Sequence, residues 1–373
     1  MRCPASGSLS PGQARARDGR KVSPLIEPQE RSRNAGRQDQ DALTLRPASP
    51  INSGVAVYTD ITDSALEAFL APYALGRPLA FKGIAEGVEN SNFLLETDTG
   101  RYILTVYERR VRPEDLPFFL DLMQWLAARG YPSATPVADR SGQLLNRLEG
   151  KPAAVVAFLP GLSVRRPTPA HCREAGEGLA WLHCAAEGFP GRRPNDLGQS
   201  AWREAFARHS DEAEALEPGL SDFIQRDLAD LERLWPCELP MGIVHADYFP
   251  DNVFFLGRRF AGTIDFYFAA WDALAYDLGV ALNAWCFDTA GSFDMVKAHA
   301  LIEGYERRRP LSADERTWLG VLARGAALRF FLTRLADWGA IPPGSLVRPK
   351  DPLEYARKLA IHRGGLNLFG SDA

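Results

Sequence analysis

Residues 245–252 read His245-Ala246-Asp247-Tyr248-Phe249-Pro250-Asp251-Asn252, and Asp265 follows within Thr263-Ile264-Asp265-Phe266. Strand-like Ile243-Val244 precedes the polar run, Val253-Phe254-Phe255 follows it, and Gly257 and Gly262 lie in the return to Thr263-Ile264. The pattern is a polar loop held by short strands. Phosphoryl transfer from ATP needs a carboxylate that orients the attacking hydroxyl and accepts its proton. It also needs hard oxygen ligands that hold magnesium against the phosphates. Asp247 supplies the first, and Asn252 and Asp265 supply the second. The short step from Asp247 to Asn252 lets one loop present both groups to one cleft, and the hairpin returns Asp265 beside them. A single aspartate or asparagine in a turn ordinarily satisfies turn backbone; the joint pattern is what points to catalysis.

Upstream of this loop the sequence alternates as a sheet does. Thr62 or Asp60 caps a short helix carrying Ala65, Leu66, Phe69 and Leu70 on one face. Strands are expected over 79–84, 92–96 and 102–107, the last two joined by the turn Thr97-Asp98-Thr99-Gly100. A helix over 116–129 puts Leu116, Phe119, Leu120, Met123 and Leu126 on one side and stops at Gly130. Strands over 144–148 and 153–159 complete five, and Pro160-Gly161 breaks the chain. Beyond it, helices are expected over 169–186, 201–209, 221–234, 277–285, 293–308, 313–338 and 352–362. The fold class is therefore α+β and two-lobed, with a small antiparallel-sheet lobe over 55–157, a hinge over 158–162, and a larger, mainly helical lobe over 163–373 that carries the catalytic and metal loops. Ligands commonly lie in such a cleft.

The motif H-x-D-x-x-x-x-N followed by I-D-F resembles the catalytic and metal loops of the aminoglycoside-phosphotransferase-type kinases, which share the protein-kinase-like fold. Within that group the chain is similar to the homoserine kinases. The likeness is carried by residues 83–93 (Gly83 to Phe93, around Gly87, Asn90 and Ser91), 102–108, 245–253, 264–268 and 282–287, and spans roughly 55–365. It implies Asp247 as catalytic base, Asn252 and Asp265 as magnesium ligands, and His245 as a brace for the loop. It also implies ATP as donor, with adenine at the hinge against Phe158 and Leu159 and phosphates under the Gly83–Gly87 turn, where Asn90 and Ser91 are the side chains in reach. The acceptor it implies is L-homoserine. Another amino alcohol, a sugar or an aminoglycoside is the alternative acceptor, and a non-catalytic nucleotide-binding module is the reading from another class.

One position departs from the related kinases. The third-strand lysine that grips the phosphates falls at Thr105, and its helix glutamate falls near Phe119, so both charged partners are missing together; Lys82 or Arg109 is left to reach the phosphates. Homoserine carries a carboxylate and an ammonium, which call for an arginine and an acid or amide. Arg329 and Arg334 are candidates for the first, and Asp272, Asp277 and Asn283 for the second. Arginines placed like Arg329 and Arg334 on a long amphipathic helix more often form surface or interlobe ion pairs. His171, His183 and Cys184 share one helix without a metal-ligand spacing and read as packing residues.

Bulk composition excludes other classes. The chain has 373 residues with net charge -4 and 46% hydrophobic residues, too balanced for whole-chain disorder or strong attraction to nucleic acid. Its longest apolar runs are too short to span a bilayer. Five scattered cysteines without a C-x-x-C pair suggest neither a disulfide framework nor a zinc site and fit a reducing cytoplasm. The first 54 residues hold no aromatic residue and carry an excess of arginine. They are expected to be disordered, or to be an upstream extension of a reading frame that truly starts at Val55.

Overall fold

The computed structural model describes residues 59–84, 90–108, 111–340 and 350–369. Gly54–Ala373 form one compact unit. The segment 1–54, Gly87 and Arg109 lie outside the described residues.

Thr62 is the cap of α1 (Asp63–Leu70): its hydroxyl accepts from Ala65 N–H at 3.2 Å. The five expected strands are β1 (Pro78–Ile84), β2 (Asn90–Thr97), β3 (Arg101–Tyr107), β4 (Asn146–Leu148) and β5 (Lys151–Ala157), in the order β1-β2-β3-β5-β4 with every pair antiparallel. Alternation along the strands gives the sheet two different faces. Phe93, Leu95, Leu104, Val106 and Val155 meet Leu66 and Phe69 of α1 on one. On the other, Tyr107 and Ala154 join Phe119, Leu120 and Met123 of α2 (Leu116–Ala128) in a core that also takes in Phe266 from beyond the catalytic loop. Gly130 ends α2 at φ 77°, where only glycine is unstrained.

β5 stops at Ala157, short of the expected 159, so Phe158 and Leu159 leave the sheet and enter the connection. Leu162 then exchanges both backbone hydrogen bonds with Phe255, tying the connection to the catalytic hairpin.

The helical part comprises α3 (Pro169–Ala185), α4 (Gln199–Ala207), α5 (Ser210–Leu216), α6 (Leu220–Leu234), α7 (Leu274–Trp285), α8 (Met295–Glu306), α9 (Ala313–Ala340) and α10 (Pro352–Arg363). α3 and α8 touch backbone to backbone, because a Cβ on Gly176 would overlap the Leu301 carbonyl and one on Gly304 the Arg173 carbonyl. Four short strands interrupt the helices. β6 (Met241–Val244) pairs with β9 (Ala270–Ala273), and β7 (Val253–Leu256) with β8 (Arg259–Thr263). The sequence reading did not anticipate β9 or α5. β9 is four residues long, and α5 has seven residues with one buried side chain, Ala213, too short for a period to show. Among the described residues no helix is long and apolar enough to cross a membrane.

Candidate active site

The two strand pairs frame the loop. Val244 ends β6, residues 245–252 follow, and Val253 pairs with Thr263, so Asn252 and Asp265 leave adjacent ends of one hairpin. Ile264 N–H donates to Asn252 O at 3.0 Å and closes that end. Asn252 is buried; its Nδ2 donates to both the backbone oxygen and Oδ2 of Asp247, each at 2.9 Å. The structure thus brings Asp247 and Asn252 into direct contact and sets Asp265 next to them. Asp247 keeps a fifth of its side chain exposed.

His245 is fully buried and uses both ring nitrogens. Asp247 N–H donates to Nδ1 at 3.2 Å and Nε2 lies 3.0 Å from Ile264 O. A carbonyl only accepts, so the proton is on Nε2 and the ring is neutral. Burial holds its pKa below the ordinary histidine value, against the opposing pull of the Asp277 and Asp247 carboxylates. His245 therefore clips the base loop to the Asp265 loop, as a brace.

Two residues of this site adopt left-handed backbone without being glycine: Ala246 at φ 60° and Asp265 at φ 64°. Such conformations cost about 1 kcal/mol or more each and need support from their surroundings. For Ala246 the support is Asp277. Its carboxylate, with no exposed surface, accepts from His245 N at 2.6 Å and Ala246 N at 2.9 Å. His183 Nε2 approaches the same carboxylate at 3.1 Å, and its Nδ1 meets the Tyr305 hydroxyl at 2.7 Å. The expectation that Asp277 binds the acceptor's ammonium fails, because its oxygens are spent on the loop. Asn283 fails likewise: it is fully buried, with Nδ2 on Gly279 O and Ala323 O and Oδ1 on His362. Asp272 lies on β9, where Asn195 Nδ2 donates to it at 2.7 Å. Of the two arginines, Arg334 turns to Glu354 and the Asp351 carbonyl, while Arg329 reaches the loop, donating to Ala246 O at 3.1 Å with Asp247 Oδ1 at 4.0 Å.

On the sheet, Asn90 shares a face with Tyr107, and its Oδ1 is buried without a hydrogen-bond partner among the described residues. Ser91 is on the opposite face. There its hydroxyl donates to Glu108 Oε1 at 2.7 Å, in a network with Thr59 and Lys151. The structure does not bring the Ser91 side chain to the cleft face. Gly83 is a regular residue of β1, paired with Phe93 rather than part of the turn. Leu159 packs beside Gly262, where a Cβ would come within 2.9 Å of it, and Arg101 lies over the Phe158 ring at 5.0 Å.

Thr105 donates to Asn92 Oδ1 at 2.8 Å. In place of an ion pair, aromatic contacts join the sheet to the loop that carries Asp265: the Tyr107 and Tyr267 hydroxyls are 3.0 Å apart and Phe119 sets its ring edge-on to Tyr267. Burial, reinforced by the nearby Asp265 carboxylate, raises both tyrosine pKa values, so both remain protonated. This link escaped the sequence reading; the one cue was Tyr267 directly after Asp265-Phe266. Lys82 is exposed on the Asn92–Thr105 face of the sheet. His171 caps α3 through Thr168 and Cys184 is exposed, while among the described residues no group of three or more His, Cys, Asp or Glu is placed to hold a metal.

Comparison with known proteins agrees with this geometry. Residues 80–311 match the phosphotransferase enzyme family. A homoserine kinase of Caulobacter sp. (strain K31) is 68% identical over 86% of this chain and 100% of its own length. One of Phenylobacterium zucineum is 66% identical over 86% of this chain and 99% of its own. Among solved structures, a spectinomycin phosphotransferase in complex with ADP and spectinomycin superposes with TM-score 0.59 at 14% identity, covering 81% of this chain and 95% of that one, which shows the two-lobed protein-kinase-like fold. The family match over residues 80–311 and the similarity to these relatives over their whole length mean that the chain belongs to the phosphotransferase enzyme family, among the homoserine kinases.

Proposed function

We propose that the chain transfers the γ-phosphate of ATP to the side-chain hydroxyl of L-homoserine, giving O-phospho-L-homoserine. The observation that carries this reading is the 68% identity to a homoserine kinase over that enzyme's full length. Asp247 accepts the hydroxyl proton as the new P–O bond forms. Asn252 fixes the carboxylate by donating to Oδ2, so Oδ1 is the oxygen that meets the acceptor. With Asn252 Nδ2 committed to Asp247, its Oδ1 and the Asp265 carboxylate form a hard, oxygen-only set that suits magnesium, which takes its remaining ligands from phosphate and water. The bound ion would neutralise phosphate charge and align the donor. Phe158 and Leu159 offer an apolar seat for adenine, and Asn90, on the sheet face of Tyr107, is the side chain offered to the phosphates.

The test is coupled ADP release by the full chain with magnesium and ATP, comparing L-homoserine with serine, choline, methylthioribose and kanamycin. Homoserine-selective turnover is expected. Selective turnover of another acceptor, or ATP binding without any transfer, would overturn the reading.

A further inference from the structure

Arg329 travels far in sequence to reach the base. Only 3% of its surface is exposed, and the one hydrogen bond of its guanidinium to a described residue goes to Ala246 O. A guanidinium has five donors in a planar fork, and leaving most of them unfilled in the interior is costly unless a ligand completes them. Its faces are already covered: Phe330 is centred 3.9 Å from the guanidinium carbon and Phe268 5.2 Å. Among the described residues the Nε and Nη2 donors meet no acceptor, while Nη1, already on Ala246 O, lies 4.0 Å from Asp247 Oδ1.

A second donor stands nearby. Tyr355 is fully buried, packs on Phe330 with ring centroids 5.2 Å apart, and its hydroxyl has no hydrogen-bond partner among the described residues. Burial keeps the phenol protonated, and the charges of Arg334 and Glu354 act on it ahead of those of Asp247 and Arg329. Two buried groups with donor capacity that no described residue fills, one of them beside the oxygen that meets the acceptor's hydroxyl, describe a seat for an anion on the acceptor itself. A planar fork matches a carboxylate.

From this we infer that Arg329 and Tyr355 form the subsite for the α-carboxylate of the acceptor, and so set the preference for an amino acid over an amino alcohol. The inference rests on the homoserine reading above. Its test is the ratio of kcat/KM for L-homoserine to that for 3-aminopropan-1-ol, which lacks only the carboxylate. The ratio is measured with the full chain and magnesium ATP in wild type, Arg329→Lys and Tyr355→Phe. Thermal stabilisation of each variant by ATP reports that it is folded. Arg329→Lys should lower the ratio by about tenfold to a hundredfold, the range for losing charge-assisted hydrogen bonds, and Tyr355→Phe by several-fold. If Arg329 only held the loop or the transferring phosphoryl group, both acceptors would suffer alike. A wild-type preference for homoserine that survives in both variants overturns the subsite alone. A wild type without that preference removes the homoserine reading and the subsite together.

Discussion

Asp277→Asn changes one atom pair at the root of the base loop, and its consequence can be worked from the hydrogen bonds. Oδ2 accepts from His245 N–H and lies within reach of His183 Nε2, while Oδ1 accepts from Ala246 N–H. An amide offers one oxygen and one NH2. The better orientation keeps the oxygen at the Oδ2 position, which leaves the Ala246 N–H facing another donor. A buried unsatisfied donor costs about 1–3 kcal/mol, and the two remaining bonds lose their charge assistance, so the expected destabilisation is about 3 kcal/mol, reduced somewhat because a buried charge is removed. Ala246 then loses the partner that offsets its left-handed φ of 60°. It relaxes toward an ordinary conformation and carries Asp247 with it, so kcat should fall by about a hundredfold or more, since misplacement of a reacting group by about 1 Å has that effect. Urea unfolding with an unchanged m-value measures the first effect and steady-state ADP release the second. If the variant kept kcat within about threefold and stability within about 0.5 kcal/mol, the claim that Asp277 holds the base loop in its strained form would be wrong.

Four other outcomes follow from particular residues. Asp247→Asn and Asp265→Asn should each abolish turnover, but Asp265→Asn alone should weaken the magnesium dependence of ATP binding, read by titration calorimetry with and without the metal. Glu149 has φ 51° and Gly150 φ 76° in the two-residue turn between β4 and β5, the geometry that favours Asn-Gly; Glu149→Asn should therefore raise stability by up to about 1 kcal/mol, and a lower melting temperature would refute it. Gly304→Ala forces a Cβ into the Arg173 carbonyl between α3 and α8, and should cost several kcal/mol or prevent folding, visible as loss of the cooperative melt. His362 has its pKa pushed down to about 3 by burial, so the unfolded chain takes up its proton first as pH falls. The stability it protects is complete above about pH 6.5 and is lost progressively down to about pH 3, at up to about 1.4 kcal/mol per pH unit. His362→Gln should flatten the stability profile between pH 4 and 6, and an unchanged slope would count against the burial argument.

The parts of this molecule that could be read in advance are those whose signal is local. Alternation revealed the sheet, the Thr97–Gly100 turn joined β2 to β3, and Gly130 stopped α2. The spacing of Asp247, Asn252 and Asp265 reads directly because all three belong to one loop and one hairpin, so chain connectivity alone keeps them close. Parts that depend on which elements face each other did not read. A period of two tells that Asn90 and Ser91 lie on opposite faces, yet not which face looks into the cleft; packing of α1 against Phe93 and Leu95 decides that, and turns Ser91 away. Asp277, Asn283 and Arg329 are a charge or an amide in a helix by sequence, alike in kind as acceptor-binding candidates.

Motif spacing and hydrophobic period act over short stretches of chain, so the available chemistry and the two-lobed layout that carries it are written in the residues alone. The use of each polar group is settled by packing. The fold spends Asp277 on the strained backbone at Ala246 and Asn283 on its helical neighbours, and leaves the donor edge of Arg329 beside Asp247. The reason is physical: a buried polar group is defined by the partners that satisfy it, and those partners come from residues far away in the chain.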